Sequence, residues 1–174
     1  MLAENAKPGK IRKDTTLAQT GEIQTVVSFL FEGVLSSYII TSGKSKKIFN
    51  GFYYHYGDFV VGGFELDQPA LVSIAPVSGS ADVLQIPVDI FQAALAGSAE
   101  LRAWFQTQQI QRLTEQAKLN NIRTQKSPEE KIAWLYSTYP GLSCAVEQKF
   151  IASFLGITTK KVSDLKAEML TSKG

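Results

Sequence analysis

Thr158, Thr159, Lys160, Lys161, Ser163, Asp164 and Lys166 crowd amines, hydroxyls and one carboxylate into nine consecutive residues. Lysine amines can donate to guanine edges or meet phosphate, and threonine and serine hydroxyls can donate or accept. Aspartate accepts from cytosine but repels phosphate. Each good base contact discriminates by about 1–3 kcal/mol. Helical spacing would turn Thr159, Lys160, Ser163 and Asp164 toward a groove, with Lys161 and Lys166 nearer phosphate and Thr158 capping the helix. The bland alternative is a solvated face on a helical hairpin that only packs.

The elements that must hold these residues are legible around them. Residues 148–167 (QKFIASFLGITTKKVSDLKA) read as two short helices joined at Gly156. Ile151, Ala152 and Leu155 give the first an inward face, and Val162 and Leu165 repeat it on the second. A glycine suits the sharp turn, and Ala152 allows a close crossing. This is the pattern of a helix-turn-helix whose second helix enters the major groove. Upstream, Ser127-Pro128-Glu129-Glu130 opens another helix with an N-cap, a proline at N1 and a glutamate at N3, and Pro140-Gly141 stops it. Ser98 caps a longer helix running to about Asn121, preceded by a short one over 88–96.

That long helix has two faces. Ala103, Gln106, Ile110, Leu113, Ala117 and Asn120 form an a/d-like stripe, while Leu101, Trp104 and Phe105 lie elsewhere. The second group is expected to clamp the helix to its own subunit.

Before Pro87 the texture is different. Residues 25–31, 33–41, 47–55, 59–61, 70–75 and 81–86 are rich in Val, Ile, Tyr and Phe and are separated by Gly-, Pro- and Ser-containing turns. Short strands at regular spacing predict a sandwich, jelly roll or barrel rather than a βαβ fold. Residues 39–48 read as a hairpin turning at Ser42-Gly43-Lys44-Ser45.

Composition narrows the function. The 174 residues carry a net charge of +2, too little to name a partner. No lysine or arginine lies between Lys47 and Arg102, whereas Arg102, Arg112, Lys118, Arg123, Lys126, Lys131, Lys160, Lys161 and Lys166 follow, where they could meet phosphates. One cysteine excludes a disulfide framework, and one histidine leaves no His-rich metal centre or cupin-type enzyme. Cys144 reads as core filler and His55 as a packed or half-exposed strand residue. The N-terminal residues lack an apolar signal region, and no run approaches a bilayer span. The expectation is a cytoplasmic protein that is not an enzyme and needs no metal or cofactor.

Residues 29–35 (FLFEGVL), 56–60 (YGDFV), 83–87 (VLQIP) with Phe91, 127–132 (SPEEKI) and 148–167 occur in an order that resembles the Crp/Fnr family of bacterial transcription regulators. The likeness runs from about Pro8 to Leu170. It implies an α+β chain: a cyclic-nucleotide-binding-like β jelly-roll barrel over 1–97, a dimerisation helix over 98–122, and a helix-turn-helix DNA-binding domain over 123–174. It also implies a homodimer with Ile110, Leu113 and Ala117 in its seam, a pseudo-palindromic DNA site, and a small-molecule effector whose identity the sequence does not name. The chain ends at Gly174, so the family's β-wing is expected to be short or absent.

One departure from the family matters. Its nucleotide-binding members carry a Gly-Glu-Leu run and then an arginine that pairs with the cyclic phosphate. Here Gly62 and Gly63 remain, Glu65 falls at a shifted position, and the stretch containing Leu71 and Ser73 has no cation. The pocket is therefore expected to be degenerate and unresponsive to cAMP or cGMP. The competing idea is that Arg112 or Lys118 reaches in from the long helix. The alternative function is a regulator-derived ligand-binding or protein-interaction module that has lost specific DNA binding.

Overall fold

The computed structural model describes residues 2–41 and 47–171, with side chains to Glu168. After a single turn, α1 (Leu2–Asn5), come seven strands among the described residues: β1 (Lys7–Arg12), β2 (Val26–Glu32), β3 (Leu35–Ile40), β4 (Lys47–Tyr53), β5 (Phe59–Val60), β6 (Ser73–Pro76) and β7 (Ser80–Pro87). They form two antiparallel sheets, ordered β1-β7-β2-β5 and β4-β3-β6. The described strands do not close into a barrel. The described strands make two separate ladders, and Ile11, Leu30, Leu35, Val60, Ile74 and Val83 from both are buried in one cluster, which makes a sandwich.

The predicted strands appear near their expected places. The 39–48 hairpin is present as the β3–β4 pairing, with Ile39 opposite Ile48; its expected turn lies outside the described residues. The sequence reading passed over β1, whose residues KPGKIR carry a proline, a glycine and three cations. It pairs along β7 from Lys7–Gln85 to Arg12–Ser80 at the edge of its sheet, where backbone pairing suffices and a proline is tolerated.

Seven helices are assigned among the described residues, six of them after the sandwich: α2 (Val88–Gly97), α3 (Ala99–Gln125), α4 (Pro128–Thr138), α5 (Leu142–Ala145), α6 (Gln148–Leu155) and α7 (Thr159–Thr171). Ser98 caps α3 by accepting from the Leu101 N–H at 3.1 Å. Ser127 and Glu130 form the expected capping box on α4. Beyond the predicted end at Asn121, α3 runs on to Gln125, held there by Arg123. Pro140 and Gly141 do end α4, but Gly141 (φ 85°) also starts the one-turn α5, which the sequence reading missed.

Two further clusters set the layers. Phe59, Val61, Ile86 and Phe91 pack with Trp104 and Phe105, so the start of α3 is clamped to the sandwich as expected. Tyr38, Phe49, Ala75 and Val77 of the sandwich share a cluster with Leu119, Ile132, Leu135, Phe154, Leu155, Val162 and Leu165. The C-terminal helices thus rest on the β4-β3-β6 sheet.

Candidate nucleic-acid interface and internal cavities

Gly156 takes the left-handed conformation (φ 66°, ψ 39°) that lets α6 stop and the chain reverse. The Ile157 N–H then donates back to the Ala152 carbonyl at 3.0 Å. Thr158 caps α7, its Oγ1 accepting from the Lys161 N–H at 3.2 Å. Ile151, Ala152, Leu155, Val162 and Leu165 are buried between the two helices and the cluster beneath. On the outer side Thr158, Thr159, Lys160, Ser163 and Asp164 are exposed together. Lys166 is half-buried.

Lys161 departs from its expected phosphate role. Its Nζ lies 2.7 Å from Glu129 Oε1, an ion pair between α7 and the start of α4. The hydrogen bond from Lys161, with help from the helix N-terminus and Ser127, holds the Glu129 carboxyl down at about 2, and the same bond raises the Lys161 amine.

The basic field of the C-terminal half is largely structural. Arg102 donates to the Leu95 and Ala96 carbonyls at 2.6 and 2.7 Å, closing the end of α2. Arg112 donates to Val61 O at 2.7 Å and Arg123 to Phe154 O at 2.7 Å. Lys126 pairs with Glu130 at 3.0 Å, and Lys131 is buried. Of the expected set, Lys118, Lys160 and Lys166 are left outside these carbonyl, ion-pair and burial contacts among the described residues. Spacing alone cannot separate a cation that caps its own protein from one aimed outward.

On α3 the two predicted faces separate. Ala103, Gln106, Ile110, Leu113, Ala117 and Asn120 are all exposed. Ile110 and Leu113 stand out at 63% and 53% exposure, whereas Leu101, Trp104 and Phe105 are partly buried. The described residues place nothing over the apolar stripe.

Some residues of the expected degenerate pocket line a cavity of about 130 Å³. Gly62, Gly63 and Leu71 line it with Ser37, Asn50, Arg112 and Gln116; Glu65 and Ser73 do not. Ser73 is buried and accepts from the Thr20 N–H at 3.1 Å. Of the two cations expected to compete for entry, Arg112 lines the cavity and Lys118 does not.

Arg112 is part of a larger arrangement. Gln109, Arg112 and Gln116 lie on one face of α3 and donate to Phe64 O, Val61 O and Asn50 O respectively, the last at 2.5 Å. Side chains of the long helix thereby fasten the loop after β5 and the middle of β4. Gly62 is needed for packing. A Cβ there would meet Ala70 Cβ at 2.8 Å and Ala18 Cβ at 3.0 Å.

A second polar cavity, about 230 Å³, was not foreseen. The residues after β4, the middle of α3 and the end of α4 enclose it, with Tyr54, His55, Asp58, Arg112, Glu115 and Tyr139 in its lining. Its aromatic run looked like strand core in sequence, and no spacing signal links it to Glu115 or Tyr139. Burial pushes the Tyr139 phenol up to about 12, with Glu115 and Tyr54 adding to it. His55 is exposed in the turn after β4, its ring 3.9 Å from that of Tyr54, so the strand assignment is corrected. Cys144 is exposed on α5 rather than filling core, because the inward positions there belong to Leu142 and Val146.

Among the described residues no group of three or more His, Cys, Asp or Glu could hold a metal ion, and no helix is long and apolar enough to cross a membrane. No family model matches the chain, and no curated protein matches it. By structure it is similar to FixK2 from Bradyrhizobium japonicum, at 16% identity over 97% of this chain and 86% of that one, with a TM-score of 0.88. It is also similar to a protein from Eubacterium rectale described as a transcriptional regulator of the crp/fnr family (15% identity, 98% and 81% covered, TM-score 0.75). A third likeness is to CLP, the c-di-GMP responsive global regulator of Xanthomonas campestris (13% identity, 98% and 89% covered, TM-score 0.71). The fold is that of Crp/Fnr-type regulators.

Proposed function

We propose that the chain is a homodimeric DNA-binding transcription regulator of the Crp/Fnr type, acting in the cytoplasm without cAMP or cGMP. The observation that carries this is the outer side of α7. Thr158, Thr159, Lys160, Ser163 and Asp164 are exposed together, while Val162 and Leu165 on the same helix are buried. A helix anchored on one side and polar on the other is what a major groove accepts. The uncovered stripe through Ile110, Leu113 and Ala117 supplies a seam for a second copy, giving sandwich, dimerisation helix and DNA-binding domain along the chain. Two α7 helices related by such a seam would meet half-sites about 34 Å apart, one helical turn.

Selection from random duplexes tests the reading. One pseudo-palindromic sequence should be enriched, and Lys160→Ala should relax base choice at one position of each half-site. Lys166→Ala should instead weaken all sequences evenly and reduce the salt slope by about one. Failure to enrich any sequence at low salt would overturn the proposal.

A further inference from the structure

Thr159, Lys160, Ser163 and Asp164 stand exposed together on the outer side of α7. The first three can each donate a hydrogen bond, whereas an aspartate carboxylate can only accept. Lys161, between them in sequence, is half-buried and tied through Nζ to Glu129 at 2.7 Å. The bond to Glu129 raises the Lys161 amine, and the charges of Glu129, Glu168 and Asp164 add to that rise. A held cation therefore lies within electrostatic reach of Asp164. It offsets part of the repulsion that this carboxylate would meet from DNA phosphates.

Resting on the regulator reading, we infer that Asp164 is the base selector of α7 that makes cytosine obligatory at one position of each half-site. In the major groove cytosine presents its N4 amine and no acceptor. Guanine presents O6 and N7, and thymine presents O4, all of which repel a carboxylate. Adenine sets the acceptor N7 beside its N6 amine, so one carboxylate oxygen would be opposed. A carboxylate desolvated without a donor is costly, and Asp164 thus acts mainly by rejecting the other three bases. Lys160 has the opposite preference, since its donors suit the two acceptors of guanine. The two residues are four positions apart, a rise of about 6 Å along a helix, against about 3.4 Å for one base step. For a helix lying along the groove they read different base pairs, about two steps apart. Each half-site accordingly holds two nearby G·C pairs, one offering guanine to Lys160 and the other cytosine to Asp164.

Selection from random duplexes by the native chain, Lys160→Ala, Asp164→Ala and Asp164→Asn tests this. The native chain should enrich a half-site with an invariant cytosine at a position that Lys160→Ala leaves unchanged. Asp164→Ala should accept all four bases there, losing about ten-fold or more in discrimination, while other positions keep theirs. It should also bind random-sequence duplex several-fold more tightly at low salt, because a repelling charge is gone. A residue that only supported the helix would leave that binding unchanged. Asp164→Asn, nearly the same shape, should shift the preference to adenine, whose N6 and N7 an amide matches. That variant keeps the test sound if the alanine variant does not fold. Base preferences shared by the native chain and both Asp164 variants would overturn the inference and leave the regulator reading standing. So would a native preference other than cytosine at the position that responds to Asp164. Failure of the native chain to enrich any sequence would sink both.

Discussion

Arg123, near the end of the long helix, donates its Nε–H to the carbonyl oxygen of Phe154 in α6, 2.7 Å away. The same guanidinium donates to Phe49 O on β4, so one side chain fastens the sandwich, α3 and the helix that supports α7. Ser153 adds a second tie, donating to Lys47 O at 3.2 Å and accepting from the Phe49 N–H at 3.5 Å. Phe150 and Phe154 pack on Phe49 and Phe52 at centroid distances of 5.0 and 4.9 Å. The orientation of α7 is therefore set through α6 by contacts with a β-strand.

Removing that clasp should be costly. Arg123→Ala strands two partly buried carbonyls, and a loss of about 2–4 kcal/mol is expected in denaturant unfolding. Arg123→Lys should recover only part of it, because an ammonium cannot span both acceptors as a planar fork does. Unchanged unfolding in Arg123→Ala would show that the aromatic packing alone docks α6.

The Glu129–Lys161 pair makes a prediction about acid and about DNA. The folded carboxyl titrates at about 2 against an ordinary 4.5, so its contribution to stability is complete above the ordinary value and disappears as the pH falls toward 2. Carboxyl NMR should find Glu129 still ionised at pH 3, and Lys161→Ala should return it toward the ordinary range. Glu129→Gln releases the Lys161 amine. DNA affinity at low salt should then rise, and the salt slope should steepen by about one. A Glu129 carboxyl titrating near 4.5 in the native protein would dissolve the pair.

How much of this was readable beforehand depends on whether a residue's role is set locally. The Gly156 turn, the Ser127 capping box and the joint exposure of Thr159, Lys160, Ser163 and Asp164 follow from spacings of a few residues. The two faces of α3 also follow from periodicity. Lys161, Arg112 and Arg123 do not, since their partners lie 32, 51 and 31 positions away and nothing in the local pattern marks them. The β1 strand escaped because an edge strand can be held by backbone bonds alone and so shows no apolar alternation. The cavity lined by Tyr54, Glu115 and Tyr139 escaped because these residues come from three separate parts of the chain.

The exposed stripe on α3 should control assembly without controlling folding. Ile110→Glu and Leu113→Glu each place a charge at a position 63% or 53% exposed in the single chain, so the unfolding of a monomer should change little. In a dimer seam the same charges would face their own copies across the axis and be desolvated. Light scattering should show dimers for the native chain and monomers for either variant, with DNA binding weakened in step. Dimers that persist in both variants would place the seam elsewhere.

The nucleotide-like cavity should be closed to cyclic nucleotides for a reason built into α3. A cyclic phosphate entering it would find one Arg112 N–H already given to Val61 O, in a space of only about 130 Å³. Gln109 and Gln116 hold the same walls from the same face of the helix, so the helix and the loop after β5 are already joined. Calorimetry with cAMP or cGMP should show no heat, and neither nucleotide should alter a gel shift; sub-millimolar binding would contradict this. The glycines give an independent check. Gly62→Ala forces a Cβ to within 2.8 Å of Ala70 Cβ, an overpacking expected to cost about 1–3 kcal/mol. At Gly63 the nearest atom to an added Cβ is 3.6 Å away, so Gly63→Ala should be tolerated. Equal effects at the two positions would mean that the loop is not fastened as tightly as the bonds from Gln109, Arg112 and Gln116 require.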